Sequence, residues 1–430
     1  MLLEFELEND GSFGSAAQIS LIASHLKDSS PGAIREVGDI AQTKALTSAL
    51  ILGKNGSGKS TFVNALTYVS NFVRNSAKET KDQDALSYDP NILIDGGETR
   101  PTRYRVVFSV QDIMYEFGIE INAVRILEEY LTIADKSSRF RRLYHRTWSQ
   151  NNSEYEYIFG EALTGNRVSW QNQTREDALY LSTAVLLNSD VLAPAHKWLS
   201  NFVRTARMDG FVTNYTSRRC LKDADFREKV VMFLQAMDVN VSDIEVKEEA
   251  FDRKVLQEMF SSEFLKKLEK DGGLINEDKR LSVKFKKSTQ SGDVKSLSLD
   301  QESTGTQALF QIAGPLFDTL EKGYCLVIDE INTSLHPLVV QFLVKLFSNE
   351  EINVKRAQLI FTSHDVSILR EGVLRRDQIW FIENDGVTAD IVPLSDYSPR
   401  KQEALEKWYL SGKYGGIPAI LPGLIRLSHA

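Results

Sequence analysis

Cysteine is nearly absent from this chain of 430 residues: only Cys220 and Cys325 occur, far apart and in no Cys-x-x-Cys pair. That excludes a disulfide framework and a metal clip within one chain, and both read as small core residues. Long apolar runs are missing too. No stretch approaches the roughly 18 consecutive apolar residues needed to cross a bilayer. Met1-Leu2-Leu3-Glu4-Phe5-Glu6 has neither the basic start nor the long apolar stretch of a signal peptide. A cytoplasmic protein with no membrane partner is expected. Positive charge is also in deficit. A net charge of −8 argues against a surface made throughout for the nucleic-acid backbone, because phosphate neutralisation requires concentrated lysine and arginine. The densest basic run is Lys136-Ser-Ser-Arg139-Phe-Arg141-Arg142-Leu-Tyr-His145-Arg146. It reads either as a local nucleic-acid patch, since charge and aromatics interleave, or as a solvated hairpin or partner-facing edge.

What is present is an ordinary globular composition, 42% apolar and 26% charged, which folds without extensive disorder. The length suits two or three lobes. Leu3, Phe5 and Leu7 alternate, and Ile19 to Ala23 follows as a second apolar run, which predicts two strands. Ala49-Leu-Ile-Leu-Gly53 is a short buried strand running into a glycine-rich turn, and Ser60–Val73 carries helical spacing. Tyr104–Val110, Met114–Ile121 and Val124–Ile133 read as a meander. From Ala178 to Val239 apolar stripes including Leu179, Trp198, Phe202 and Val203 predict a helical insertion. Short strands are expected near Asp243–Val246, Leu281–Phe285 and Val294–Leu299, with a charged exposed segment at Lys266–Arg280. From Glu302 onward helices and strands alternate, which predicts parallel pairing with right-handed crossovers. Both chain ends then supply strands to one α/β head: an N-terminal part at 1–150, a mainly helical lobe at 151–295 and a C-terminal part at 296–430.

Gly53-Lys54-Asn55-Gly56-Ser57-Gly58-Lys59-Ser60-Thr61 matches the phosphate-binding loop pattern in full and lies between a strand and a helix, as the mechanism demands. Loop N–H groups and the helix N-terminus cradle phosphate oxygens, which small residues allow the backbone to approach. Lys59 is expected to reach the β/γ phosphates of ATP and the Ser60 hydroxyl to ligate Mg²⁺. Tyr324-Cys-Leu-Val-Ile328-Asp329-Glu330 ends an apolar strand in two carboxylates. Asp329 suits the metal, directly or through water, and Glu330 the polarisation of an attacking water. In Glu302-Ser303-Thr304-Gly305-Thr306-Gln307 a hydroxyl and a glycine open a helix, and in Leu359–Asp365 a strand ends beside His364, placed to sense the γ-phosphate.

In this order the motifs resemble the ABC-type ATPase heads, the class that includes SMC and OLD proteins. Walker A corresponds to Gly53–Ser60, a degenerate signature to Ser303–Gln307, Walker B to Leu326–Glu330, a D-loop to Asn332-Thr-Ser-Leu335 and the switch histidine to His364. Leu3-Glu-Phe, Asn332-Thr-Ser-Leu-His336-Pro337 and Leu405-Glu-Lys-Trp-Tyr409-Leu-Ser-Gly-Lys-Tyr414-Gly-Gly-Ile-Pro418 resemble, more narrowly, stand-alone bacterial AAA/ABC ATPases of abortive-infection and anti-phage operons, including PARIS-type systems. The resemblance covers both ends of the chain and leaves about 150–290 uncovered. It implies ATP hydrolysis by Glu330 with His364 and Lys59. It also implies heads pairing face to face, or larger homo-oligomers, with Ser303 and Gly305 of one copy closing on ATP held by another. The signature departs from Ser-Gly-Gly-Gln, Asn9-Asp-Gly-Ser-Phe13 lacks the basic residue of relatives, and no Q-loop glutamine is assigned.

Absences set the subclass. There is no heptad arm, no zinc hook and no transporter segment, and the tail at Ser398–Ala430 is too short for a Toprim nuclease domain. The resemblance therefore implies a sensor or regulator in antiviral defence. It would hold or activate a separately encoded effector such as a nuclease or other toxin, on a phage trigger. The alternative is a DNA-repair ATPase binding DNA across a head dimer. A third reading, a scaffold that binds nucleotide without turnover, has no need of Glu330 and His364.

Overall fold

The computed structural model describes residues 1–26, 28, 30–38, 43–78, 86–134, 139–207, 214–250, 279–370, 373–399 and 403–417. Most of the expected exposed segment at 266–280, residues 136–138 of the basic run and 418–430 of the tail lie outside these. Two compact units emerge: one of Met1–Thr205, Thr319–Glu330 and Gln341–Ala430, the other of Ala206–Asp318 and Ile331–Val340. These do not divide the chain at 150 and 295.

Alternation builds the first sheet of the larger unit. In strand Leu2–Glu8, Leu3, Phe5 and Leu7 are buried while Glu4, Glu6 and Glu8 are not. Seven antiparallel strands follow the order Glu154–Phe159, Arg141–Ser149, Ile126–Ala134, Ile113–Ile121, Thr102–Val110, Leu2–Glu8, Ala17–Ser20. The second sheet has six strands in the order Val203–Arg207, Cys325–Asp329, Gln358–Ser363, Ser48–Leu52, Ile379–Asn384, Ala389–Pro393. Its four middle strands are parallel and Ala389–Pro393 closes it antiparallel. Ser48–Leu52 is buried at every residue, as a strand covered on both faces must be. N- and C-terminal segments thus share one mixed sheet, as expected.

Helix Lys59–Asn75 buries Phe62, Val63, Leu66, Val69 and Val73, a stripe at helical spacing. Phe62 meets Phe5 edge-on at 5.4 Å and Phe13 at 6.3 Å, so the antiparallel sheet fixes the helix that opens at the phosphate loop. Residues 151–205 belong to this unit rather than to a separate helical lobe. They contribute the last antiparallel strand, helices Arg167–Gln173, Tyr180–Leu186 and Ala193–Leu199, and a strand at Val203–Arg207. The apolar stripe through Trp198 and Phe202 packs on this sheet: Trp198 stacks on Phe108 at 4.3 Å and on Phe202 at 4.7 Å. Continuity of that stripe masks the strand that begins at Val203.

The described part of the smaller unit is α+β, not mainly helical. An antiparallel sheet of Asp243–Ala250, Lys279–Ser288 and Val294–Ser298 accompanies helices Tyr215–Lys222 and Ala224–Ala236. Helix Thr304–Lys322 contains Pro315, which leaves the Gln311 carbonyl without its helical donor. The buried Thr216 hydroxyl donates to that carbonyl at 3.0 Å and accepts from the Gly314 N–H at 3.1 Å, so the helix continues past the proline.

The basic run loses one charged member to the interior. Arg146 is fully buried; it donates to the carbonyls of Ala178 (2.8 Å) and Arg175 (2.9 Å) and pairs with Glu129 at 3.5 Å. Glu129 also accepts from the N–H groups of Tyr180 and Leu181 and from the Tyr144 hydroxyl. Burial raises its pKa, against the opposing pull of Arg146 and these donors. His145 pairs with Glu128 at 2.7 Å. Arg146→Ala leaves a buried carboxylate uncompensated, so an unfolding measurement in denaturant is expected to show a loss of about 3–5 kcal/mol; a loss below about 1 kcal/mol, the worth of a surface pair, contradicts this account.

Candidate active site

Parallel strands in register end at one edge, and in open α/β sheets that carboxyl edge is where ligands bind. Ile328 pairs with Phe361 and Leu52 with Ser363, so the segments following all three strands emerge together. Gly53 leaves the central one. A Cβ there would stand 2.6 Å from the Ser57 hydroxyl and 2.7 Å from the Ile382 carbonyl, which only glycine avoids. Gly58 follows at φ 111°, and helix Lys59–Asn75 starts with no side-chain cap, leaving its first amides to a ligand. A cleft of about 200 Å³ is lined by the loop from Asn55 to Thr61 together with Ser12 and Glu330.

The Lys59 ammonium donates to the carbonyls of Gly53 (2.8 Å) and Lys54 (3.0 Å), which closes the loop on itself. Burial lowers its pKa, while Glu330 and then Asp329 pull it back up. Ser60 donates to one oxygen of Asp329 at 2.6 Å and Thr362 to the other at 2.6 Å. The Thr362 hydroxyl oxygen in turn accepts the Glu330 N–H at 2.7 Å. Glu330 holds a left-handed backbone, φ 51°, and one of its carboxylate oxygens lies 3.2 Å from His364 Nε2.

The donor set fits a nucleotide with its cation. The Ser57 hydroxyl, 1% exposed, has no hydrogen-bond partner among the described residues, and buried orphans of this kind are rare. Ser60 and Asp329 present adjacent hard oxygens of the kind Mg²⁺ takes. The structure thus brings together Gly53, Asn55, Gly56, Ser57, Gly58, Lys59, Ser60, Thr61, Asp329, Glu330 and His364. Ser303 and Gly305 belong to the other unit, where Ser303 caps its helix by accepting the Thr306 N–H at 3.2 Å. A Cβ on Gly305 would stand 2.9 Å from the Ser334 carbonyl, so that glycine permits close approach to the D-loop-like backbone.

Two site residues escape the sequence reading. Thr362 is a buried hydroxyl in a strand that is otherwise largely apolar, and that contrast was its only signal. Ser12, whose hydroxyl is 3.4 Å from that of Thr61, had none. The C-terminal motif also finds its place. Tyr409 and Tyr414 stack on Phe381 at 5.4 and 5.6 Å, and Gly416, at φ 66°, packs with its Cβ position 3.6 Å from Gly53 Cα.

Residues 48–370 match the family described as "AAA domain, putative AbiEii toxin, Type IV TA system". The chain belongs to this family. Its buried strand Ser48–Leu52, glycine-rich loop and helix Lys59–Asn75 on a mixed sheet have the P-loop arrangement of an AAA domain. Among solved structures it is similar to the SMC head domain from Thermotoga maritima, at 13% identity, TM-score 0.38, covering 91% of this chain and 98% of that one. The same identity, TM-score and coverages describe its similarity to the recombination mediator protein RecF-ATPrS of the RecFOR pathway. For cbiO1 from Clostridium perfringens, part of the ABC transporter complex cbiONQ, the values are 12% identity, TM-score 0.29, and 96% of both chains. Similarities this distant assign no activity. No curated protein matches the sequence. Among the described residues no helix is long and apolar enough to cross a membrane.

Thr362→Val removes the donor to Asp329 and the acceptor for Glu330 while keeping the side chain's shape. The variant is expected to keep its melting temperature within a few degrees and to lose about tenfold or more in ATP turnover; turnover equal to wild type contradicts the role given to Thr362.

Proposed function

We propose that the chain hydrolyses ATP with Mg²⁺ and works as the sensor and regulator of an antiviral defence system, oligomerising around ATP and holding or activating a separately encoded toxic effector such as a nuclease. The observation that carries the hydrolytic part is the 3.2 Å contact between Glu330 and His364 beside the phosphate loop. A protein that only holds nucleotide has no use for a carboxylate and an imidazole aimed at one point. Ser60 and Asp329 would hold the cation, which when bound would supply charge neutralisation to the phosphate oxygens. Lys59 holds the phosphates as a point charge. Glu330 orients and polarises a water, and His364 fixes the Glu330 carboxylate and reads the γ-phosphate.

The defence part rests on the family description, which names a toxin and a toxin–antitoxin system, together with the motifs shared with anti-phage ATPases. Ser303 and Gly305 of one copy would close on ATP held by another, so that nucleotide state becomes assembly state and Glu330 its timer. The DNA-repair reading retains one observation in its favour, the exposed Arg139, Phe140, Arg141 and Arg142.

The test is the Glu330→Gln variant, tagged and purified from its native operon in the presence of ATP. It is expected to sediment as a larger, ATP-bound assembly than wild type, and to carry a second gene product. Sedimentation identical to wild type with and without ATP would overturn the oligomer switch; a trapped oligomer carrying DNA and no second protein would favour repair.

A further inference from the structure

A loop that grips phosphates leaves the base of the nucleotide to find contact elsewhere. Ser12 is the cleft's contribution from the segment Asn9–Phe13. Phe13, the aromatic side chain of that segment, is fully buried and edge-on to Phe62 at 6.3 Å, so it presents no face to a ligand. The wall next to Ser12 is organised by one buried amide. Asn91 Nδ2 donates to the Ser12 carbonyl at 3.2 Å and to the Val387 carbonyl at 3.0 Å. Its backbone N–H donates to Asn9 Oδ1 at 3.2 Å, and its own Oδ1 accepts from the Leu93 N–H at 2.8 Å. Thr388 ties the same place from the other side, accepting the Gly14 N–H at 2.9 Å, and the Ala389 N–H donates to the Ser12 carbonyl at 2.7 Å.

These bonds fix residues 91–94 and the turn at 385–388 beside the phosphate loop, whose Gly58 has its Cβ position 3.2 Å from Ser12 and 3.3 Å from Ala389. The two fixed segments expose large apolar side chains: Ile92 at 66%, Leu93 at 64% and Val387 at 44%. Scattered exposed aliphatics are unremarkable in any protein. Three of them stand on two segments that one buried amide ties to the carbonyl of Ser12, a residue lining the phosphate cleft, and small-ligand sites combine such apolar side chains with a few polar groups.

We propose that Ile92, Leu93 and Val387 are the platform on which the purine base of the bound nucleotide lies. This rests on the nucleotide reading of Gly53–Ser60 and extends it from the phosphates to the base. The chemistry is dispersion and apolar burial against an aromatic face, with the Asn91 amide holding the platform and taking no part in base recognition.

The experiment compares two probes, ATP and inorganic tripolyphosphate, on the Ile92→Ser/Leu93→Ser double variant by calorimetry. ATP affinity is expected to fall about tenfold or more, with tripolyphosphate affinity held within about twofold, since it has no base to lose. In a second variant, Leu93→Trp, indole fluorescence is expected to change on adding ATP and to stay constant on adding tripolyphosphate. Unchanged ATP affinity, or an equal loss for both probes, overturns the platform. So does a double variant that binds ATP normally but assembles less in sedimentation, which would assign the patch to contact with a second copy. Lys59→Ala serves as the separate control: it should lose both probes, and its binding both as wild type does would sink the nucleotide reading itself.

Discussion

Asp329 is gripped from both sides. Ser60 and Thr362 each donate to one of its oxygens at 2.6 Å, across sequence separations of 269 and 33 positions. The site depends on that double grip because it fixes the ends of three segments, phosphate loop, acid pair and switch strand, to one point. The grip depends in turn on sheet register. A slip of one residue in Gln358–Ser363 would turn the Thr362 side chain to the opposite face of the sheet, and with it would go both the Asp329 anchor and the acceptor for the Glu330 N–H. The full burial of Ser48–Leu52 and Gln358–Ser363 makes such a slip costly, so the hydrophobic core of the sheet enforces the geometry of its polar edge.

Glu330 adds a second constraint. A non-glycine residue at φ 51° carries strain on the order of 1–3 kcal/mol, which persists only where the surroundings over-determine it. Here the Thr362 hydroxyl takes the Glu330 amide, and the left-handed turn places the carboxylate beside His364 and away from Asp329's own hydrogen bonds. Two adjacent carboxylates thus have different partners and different work. The far side of the loop is restrained as well: the stack of Tyr409 and Tyr414 on Phe381 brings Gly416 against Gly53, which accounts for a motif far along the chain supporting a loop near its start.

The phosphate loop, the Asp329–Glu330 pair and His364 were legible because each is a local pattern at the end of an apolar strand, and strand ends in a parallel sheet converge. The alternating strands from Leu2 to Ala134 were legible by period. Thr362 was only faintly so, since a hydroxyl near the end of an apolar strand has no assignable role until its partners are placed. The strands Arg141–Ser149 and Glu154–Phe159 were obscured by the charge of the basic run: Arg146, which looks solvent-facing in sequence, is buried because Glu129 arrives from the neighbouring strand. The strand at Val203 was lost in the apolar stripe of the preceding helix. The unit boundary near 205 had no composition change to mark it, whereas the three strands of the smaller unit, Asp243–Ala250, Lys279–Ser288 and Val294–Ser298, fall where short strands were expected.

Everything proposed for this site requires Ser60 and Asp329 to hold the cation that serves the nucleotide. Its most direct measurement is ATP hydrolysis by Ser60→Cys across a series of divalent ions. A sulfur ligand at that position disfavours Mg²⁺ and favours softer ions, so turnover should be lost with Mg²⁺ and recovered in part with Mn²⁺ or Cd²⁺. Turnover in Mg²⁺ equal to wild type would contradict the assignment of Ser60 as a metal ligand, and with it the site built around Asp329.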